Sequence, residues 1–224
     1  MQKHSTTIVM NLNSLLKKYF TEDIEHHRIE MFDKDNIYAV FQSSIDHLMK
    51  FAEINLSVLQ GLGYCLYEIL DNVITHSEKK CGILIHSFDS EKSTIKILVA
   101  DDGIGIWKSL TRNPEYIDVS EKDALSICIN NSVTDGHGMG FGLYSMSRLI
   151  KSAGLNMSIH SGSSMLRYKS NEFVVEETDN WEGTIVWLEL HSDVDIDANN
   201  VVENRTDAAG EFNDAFINDD NQLW

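Results

Sequence analysis

Residues 135–143 read DGHGMGFGL, with glycine at every second position from Gly136 to Gly142. Glycine accepts positive φ angles and close backbone contacts, but it weakens an ordinary helix or strand. The residues that follow, YSMSRLIKSAG, have the pattern of a helix. A glycine run directly before a helix can direct several backbone N–H groups at one point, where the helix dipole also favours negative charge. The run predicts a phosphate-binding turn, and glycine content alone leaves a flexible loop open as the alternative.

Length, composition and charge restrict the class of protein. The 224 residues are 42% apolar and carry a formal charge of −17, which suits a globular domain with a core and appendages. Without a membrane-length apolar run or a secretory signal pattern, we expect a cytoplasmic protein. The acidity argues against nucleic-acid and anionic-membrane partners. Widely spaced Cys65, Cys81 and Cys128 favour reduced thiols over disulfides or a zinc site.

We expect three regions along the chain: an N-terminal α/β extension at 1–52, the main domain at 53–191 and an acidic, disordered tail at 192–224. From Ser192 to the end there are nine acidic residues against one base, Arg205. A segment with so few core-forming residues predicts disorder. The closing FNDAFINDDNQLW leaves a short partner-binding element as the alternative.

Hydrophobic periodicity predicts the order of the elements. The front part is expected to hold strands near 8–12 and 27–32 and helices near 14–20 and 36–52. A long amphipathic helix follows from about residue 57, and after it a hairpin formed by CGILIHSFDS and TIKILVADD. Next come an irregular stretch, with a short helix in EKDALSICINNS, and a helix that ends at about residue 153. Four strands complete the domain: LNMSIHSG, SMLRYKS, EFVVEET and GTIVWLELH. The pattern indicates an α/β (α+β) two-layer sandwich, with helices on one face of a mixed, mostly antiparallel sheet.

The long helix carries polar residues at a regular spacing. Glu68, Asn72 and His76 are four residues apart and therefore share one stripe of the helix. An amide oxygen suits Mg²⁺, and a carboxylate one turn earlier can accept a proton. For these three residues alone, a polar surface stripe is the simpler interpretation.

The second strand of the hairpin ends in DDGIGI, where Gly103 and Gly105 follow Asp101. A carboxylate at a strand end can accept a hydrogen bond from an exocyclic amine, and the glycines allow a flat ring to lie against the backbone. Taken alone, the motif is a tight turn. A weaker mark is the Gly183-Thr184 pair at the start of the last strand.

In this order and with these gaps, the motifs resemble those of the GHKL superfamily of ATPases, over roughly residues 58–190. The superfamily includes histidine-kinase catalytic domains, anti-sigma-factor serine kinases, gyrase-type topoisomerases and heat-shock chaperones. The motifs that match are an N box (Glu68, Asp71, Asn72, His76), two glycine boxes (Asp101, Gly103, Gly105; Gly138, Gly140, Gly142) and the Gly-Thr pair of the last strand (Gly183, Thr184).

The resemblance implies a Bergerat fold, with ATP lying between helices and sheet beneath a lid at about 106–138. By family analogy Asp101 binds the adenine amine, helped by Thr184 through water. Asn72 holds Mg²⁺ and Glu68 is the general base. The remaining residues implied to contact the nucleotide are His76, Gly103, Gly105, Gly136, His137, Gly138, Met139, Gly140, Phe141, Gly142 and Leu143. Within the loop, His137 either contacts a phosphate or lies exposed.

The E-x-x-x-N-x-x-x-H pattern, with Thr75 where many histidine kinases have lysine, resembles the anti-sigma-factor serine kinases. Residues 158–190 resemble stand-alone bacterial GHKL ATP-binding proteins that accompany small STAS-like partners. The resemblance implies a Mg-ATP-binding regulator in signal transduction, which transfers the γ-phosphoryl group to a partner protein or hydrolyses ATP slowly. The alternative is a non-catalytic switch that sequesters a regulatory partner, and a homodimer is compatible with either.

Overall fold

The computed structural model describes residues 12–20, 27–136, 142–197 and 200–201. The elements, in chain order, are α1 (12–19), β1 (Arg28–Asp33), α2 (Ile37–Phe51), α3 (Leu56–His76), β2 (Cys81–Asp89), β3 (Thr94–Ala100), α4 (Gly105–Leu110), a 3-10 turn (Pro114–Tyr116), α5 (Glu121–Ile127), α6 (Gly142–Ala153), β4 (Gly154–Lys169) and β5 (Glu172–His191). The strand predicted near 8–12 lies mostly outside the described residues, and residue 12 itself is helical. Among the described helices, none has both the length and the apolar character that a membrane crossing requires.

One five-stranded sheet has the order β1-β2-β3-β5-β4, and all neighbouring strands in it run antiparallel. The α+β class predicted from the sequence is confirmed, with a sheet that is antiparallel throughout the described strands rather than mixed. Strand β1 pairs with β2 along its whole length. The front part of the chain therefore extends the same sheet as the main domain.

The last two strands form one long hairpin where the sequence predicted four separate strands. Register shifts around Gly162 absorb the glycine and serine residues that suggested a break, and Gly162 itself has a φ of +62°. Ser170 and Asn171 both have positive φ at the tip of the hairpin. Such angles are typical of the tight turns that join antiparallel strands.

Both faces of the sheet are covered. Alternate strand residues such as Ile97 and Leu188 pack beneath α2, α3 and α6, as predicted. The opposite face is also apolar, and there Leu15 and Phe20, in and just after α1, pack against residues such as Ile85. The prediction that helices lie on one face of the sheet is therefore wrong for α1. Strands that are apolar on both faces need cover on both faces.

The segment after β5 contributes to the core. Ser192, Ile196 and Val201 are buried, and a Cβ added at Gly61 of α3 would lie 3.6 Å from Ile196 and 3.7 Å from Val201. The expectation of disorder from residue 192 onwards is wrong at these residues, because Ile196 and Val201 carry apolar side chains that the acidic composition of the whole segment obscured.

Candidate functional site

Helix α3 presents its polar stripe to a cavity of about 200 Å³. The helix begins at the N-cap Asn55, whose side chain accepts a hydrogen bond from the Ser57 backbone N–H. Its apolar side packs in the core. Glu68, Asn72 and His76 all line the cavity, so the stripe faces a concave space instead of open solvent.

Glu68 lies where α3 meets the first residue of α6. A Cβ added at Gly142 would lie 2.9 Å from Glu68 Cβ and 3.4 Å from Asn72 Nδ2. The glycine is therefore required for the close approach of the two helices. Burial raises the pKa of Glu68 to about 7, with a further contribution from the negative charge of Asp71. A carboxyl group with this pKa exchanges protons near neutral pH.

Asp101 lies at the end of β3 and is only 6% exposed. Its backbone N–H donates to the Thr184 carbonyl at 2.9 Å, and its Oδ1 atom accepts from the Gly103 N–H at 2.8 Å. Burial raises the pKa of Asp101 to about 7. Asp101 and Thr184 both line the cavity, on the sheet side opposite α3. The predicted carboxylate and its predicted threonine companion are thus brought together.

The glycines of the DDGIGI turn make room for protein atoms. A Cβ at Gly103 would lie 2.2 Å from the Ser77 carbonyl oxygen, and Gly103 does not line the cavity. Gly105 has a φ of +78°, and a Cβ there would lie 2.6 Å from Ser161 Oγ. Gly105 does line the cavity. Of the two glycines, only Gly105 therefore lies in the wall of the cavity, and its contact with a ligand ring remains a prediction.

The glycine run is described at its two ends. Gly136 is exposed and has a φ of +98°, while Gly142 and Leu143 line the cavity. The nucleotide contacts predicted at His137, Gly138, Met139, Gly140 and Phe141 lie outside the described residues.

The described part of the predicted lid contains α4 and α5, packed against β4. The Ile106 N–H donates to Ser161 Oγ at 2.9 Å, and the Ser163 N–H donates to the Glu121 carboxylate at 2.6 Å. Leu125 is fully buried. These contacts hold residues 105–127 against the strand hairpin.

Sequence reasoning did not single out four polar residues of the cavity wall, Ser77, Ser109, Thr134 and Asp135. Asp135 and Ser109 line the cavity, and Ser109 Oγ donates to Asp135 Oδ2 at 2.8 Å. An Asp-Gly pair reads as a turn signal, so nothing in the sequence marked this carboxylate. Apart from Leu143, the apolar part of the wall was not predicted either; it comprises Ile69, Val73, Val99, Ile106, Leu110, Cys128, Val133 and Val186.

Among the described residues, the ionisable side chains of the cavity wall are predominantly acidic. Glu68, Asp71, Asp101 and Asp135 line it together with His76, and no lysine or arginine of the described residues does so. A polyanion entering this space would meet like charges. Carboxylate and amide oxygens are the ligands that Mg²⁺ and Ca²⁺ prefer, so the wall offers suitable oxygen atoms. In the described part of the chain, however, no three His, Cys, Asp or Glu side chains are grouped closely enough to hold a metal ion by themselves.

Comparison with protein families finds a match over residues 57–194 to a model described as histidine kinase-, DNA gyrase B- and HSP90-like ATPase. Comparison with curated proteins finds no match. The matched span runs from the first turn of α3 to just beyond β5 and includes every residue of the cavity wall. The chain belongs to the histidine kinase-, DNA gyrase B- and HSP90-like ATPase family.

Proposed function

We propose that this chain is a Mg-ATP-dependent regulator that transfers the γ-phosphoryl group to a hydroxyl of a partner protein or to water. The observation that carries the proposal is the convergence of Asp101, Asn72 and Glu68 on one cavity. Membership of an ATPase family gives the ligand class. The acceptor and the resemblance to anti-sigma-factor serine kinases belong to the proposal alone.

The sheet side of the cavity suits an adenine ring. The Asp101 carboxyl group is buried, and apolar side chains such as Val186 and Leu110 line the same cavity. In such surroundings a hydrogen bond to an exocyclic amine has few water molecules to compete with it. Asp101 therefore selects the amine edge of the ring, and Thr184 lies beside it in the lining.

The α3 side suits the phosphates and their metal ion. Mg²⁺ would be held through the Asn72 amide oxygen and would neutralise phosphate charge when bound. The acidic lining makes such neutralisation necessary. The N-terminus of α6, at Gly142, adds a helix dipole that favours an anion. Asn72 and Gly142 are adjacent, with only 3.4 Å between Asn72 Nδ2 and a Cβ added at the glycine.

Glu68 is the base in this proposal. Its pKa of about 7 lies near neutral pH, where a general base combines an adequate deprotonated fraction with adequate basicity. It precedes Asn72 by one helical turn. The proton would pass from the attacking hydroxyl or water to the Glu68 carboxylate.

Calorimetric titration with a non-hydrolysable ATP analogue, with and without Mg²⁺, tests the nucleotide site. We expect Mg-dependent binding that weakens by about tenfold or more in Asp101→Asn and Asn72→Ala, since each loses a hydrogen bond or ligand to a charged or buried group. Asp102→Asn and Gln60→Ala are matched controls, because neither residue lines the cavity. Equal affinity in all five proteins would contradict the proposal.

A single-turnover reaction with γ-labelled ATP then separates the outcomes of binding. Label on a protein identifies a kinase, and label released as phosphate identifies an ATPase. Label that stays on ATP would overturn the catalytic proposal and leave the binding switch, in which nucleotide acts only through its differential affinity for two conformations.

A further inference from the structure

Asp135 joins two helices to the chain that enters the glycine run. Its Oδ2 atom lies 2.7 Å from His76 Nδ1, at the end of α3, and accepts from Ser109 Oγ of α4 at 2.8 Å. The side chain of Asp135 is 4% exposed. A carboxylate so far from water is stable only where hydrogen-bond donors replace the solvent, and His76 and Ser109 supply them.

The backbone beside Asp135 is held as well. Asn113 Nδ2 donates to the Thr134 carbonyl at 2.9 Å, and the Gly136 N–H donates to Thr134 Oγ1 at 3.3 Å. Residues 134–136 are therefore fixed against α4 and the turn that follows it. This short segment ends at Gly136, the first glycine of the run.

The C-terminal end of the glycine run, Gly142, is fixed beside Glu68, at the opposite end of the polar stripe of α3 from His76. Gly142 begins α6 and packs against Glu68 without room for a Cβ. Glu68 and His76 are eight residues apart on α3, about 12 Å along the helix axis, and Asn72 lies midway. The chain is thus held at both ends of the stripe, and Asp135 is the side chain that makes the contact at the His76 end.

We propose that Asp135 is a positioning residue for the nucleotide site, an inference that rests on the function proposed above. It holds the last turn of α3, helix α4 and the start of the glycine run at a fixed spacing, so that the phosphate end of the site is organised before nucleotide binds. It also determines which ring nitrogen of His76 carries a proton, because a carboxylate acceptor at Nδ1 requires a proton on that nitrogen.

The first test compares the affinities of Asp135→Ala and Asp135→Asn for Mg-ADP and for a non-hydrolysable Mg-ATP analogue. We expect Asp135→Ala to lose at least tenfold for the ATP analogue and less than threefold for ADP, because the adenine end is bound by Asp101. Asp135→Asn should recover most of the loss, since an amide oxygen can replace Oδ2 as the acceptor. Glu78→Gln is the matched control: that carboxylate pairs with Arg112 near the end of α3 and does not line the cavity.

The second test needs no nucleotide. Side-chain ¹⁵N NMR at pH 8 should show the His76 proton on Nδ1 in the wild type and its redistribution towards Nε2 in Asp135→Ala. The inference would be overturned if Asp135→Ala lost affinity equally for Mg-ADP and for the Mg-ATP analogue, or if it lost no affinity for either and left the His76 signal unchanged. In both cases the proposed function would stand, provided that the wild-type protein binds nucleotide. A wild-type protein that binds neither nucleotide would overturn the proposed function, and this inference with it.

Discussion

At the scale of single residues, the two carboxyl groups with raised pKa values face the same cavity from opposite sides. Glu68 lies on α3 and Asp101 on the sheet, and for both the main cause of the shift is burial. Desolvation penalises the charged form of a carboxylate. Perturbed groups of this kind are concentrated at functional sites, so the pKa values and the motif spacing point independently to the same place.

The role of Glu68 gives a pH prediction. If Glu68 is the base, the single-turnover rate should rise with pH through an apparent pKa near 7, because only the deprotonated form accepts a proton. Glu68→Gln should lower the rate by about 100-fold or more while nucleotide affinity stays within about threefold. The measurement is the rate of phosphoryl release or transfer between pH 5.5 and 8.5.

Asp71→Asn provides the control for this profile. The negative charge of Asp71 contributes to the raised pKa of Glu68, so its removal should shift the profile towards acid without abolishing turnover. A flat profile in the wild type, or a Glu68→Gln protein with full activity, would remove Glu68 from the mechanism.

At the scale of elements, the junction between the β3–α4 turn and the end of α3 depends on close backbone contacts. The Ile104 N–H donates to the Ser77 carbonyl at 3.2 Å, and a Cβ at Gly103 would overlap the same oxygen at 2.2 Å. The contact joins the element that carries Asp101 to the element that carries Asn72. The spacing of the two halves of the site is therefore set by a glycine that need not touch the ligand.

Gly103→Ala should be strongly destabilising for this reason. The obstruction is backbone rather than a flexible side chain, and we expect a loss of about 1–3 kcal/mol or more in the free energy of unfolding. Gly136→Ala is the matched control, because its Cβ would have no atom within 4 Å and only the positive φ of +98° opposes it. Urea denaturation should rank Gly103→Ala well below Gly136→Ala; the reverse order would contradict the packing argument.

The same junction shows what the sequence could and could not predict. The spacing of Glu68, Asn72 and His76 identifies one face of a helix, and a carboxylate at the end of a β-rich run identifies a strand end, so both halves of the site were predictable. That Gly103 contacts Ser77, and that Asp135 meets His76 across 59 residues of sequence, follow from tertiary packing. Local patterns contain no information on such pairs.

At the scale of the whole molecule, the sequence predicted the positions of the helices better than the continuity of the strands and the packing on the sheet. Periodicity placed both ends of α2 and the start of α3 within one residue of their observed positions, because each helix has one apolar face. It did not reveal that β4 and β5 run continuously through a bulge, or that α1 covers the second face of the sheet. Those features depend on which surfaces remain apolar after the strands have paired.

A buried histidine of the sheet should affect how the free energy of unfolding of the whole molecule changes at acid pH. His86 of β2 is 1% exposed, and neither of its ring nitrogens has a hydrogen-bond partner within the described part of the chain. Burial, together with the neighbouring His47 and Arg28, lowers its pKa to about 3. Between about pH 6.5 and 3 the unfolded chain therefore binds a proton at this site that the folded chain does not. The free energy of unfolding should therefore decrease as the pH is lowered across this window, by up to about 1.4 kcal/mol per pH unit from His86 alone.

His86→Phe isolates this contribution, because Phe retains an aromatic ring beside His47 and cannot take up the proton. Glu68 and Asp101 act in the opposite direction over about pH 4 to 7, since their raised pKa values make the folded state bind more protons. The informative quantity is therefore the difference in unfolding free energy between His86→Phe and the wild type, measured by urea denaturation from pH 8 to pH 4. That difference should be constant above about pH 7 and increase in favour of the variant below pH 6. Parallel curves over the whole range would show that His86 is protonated equally in the folded and unfolded chains, contrary to its burial.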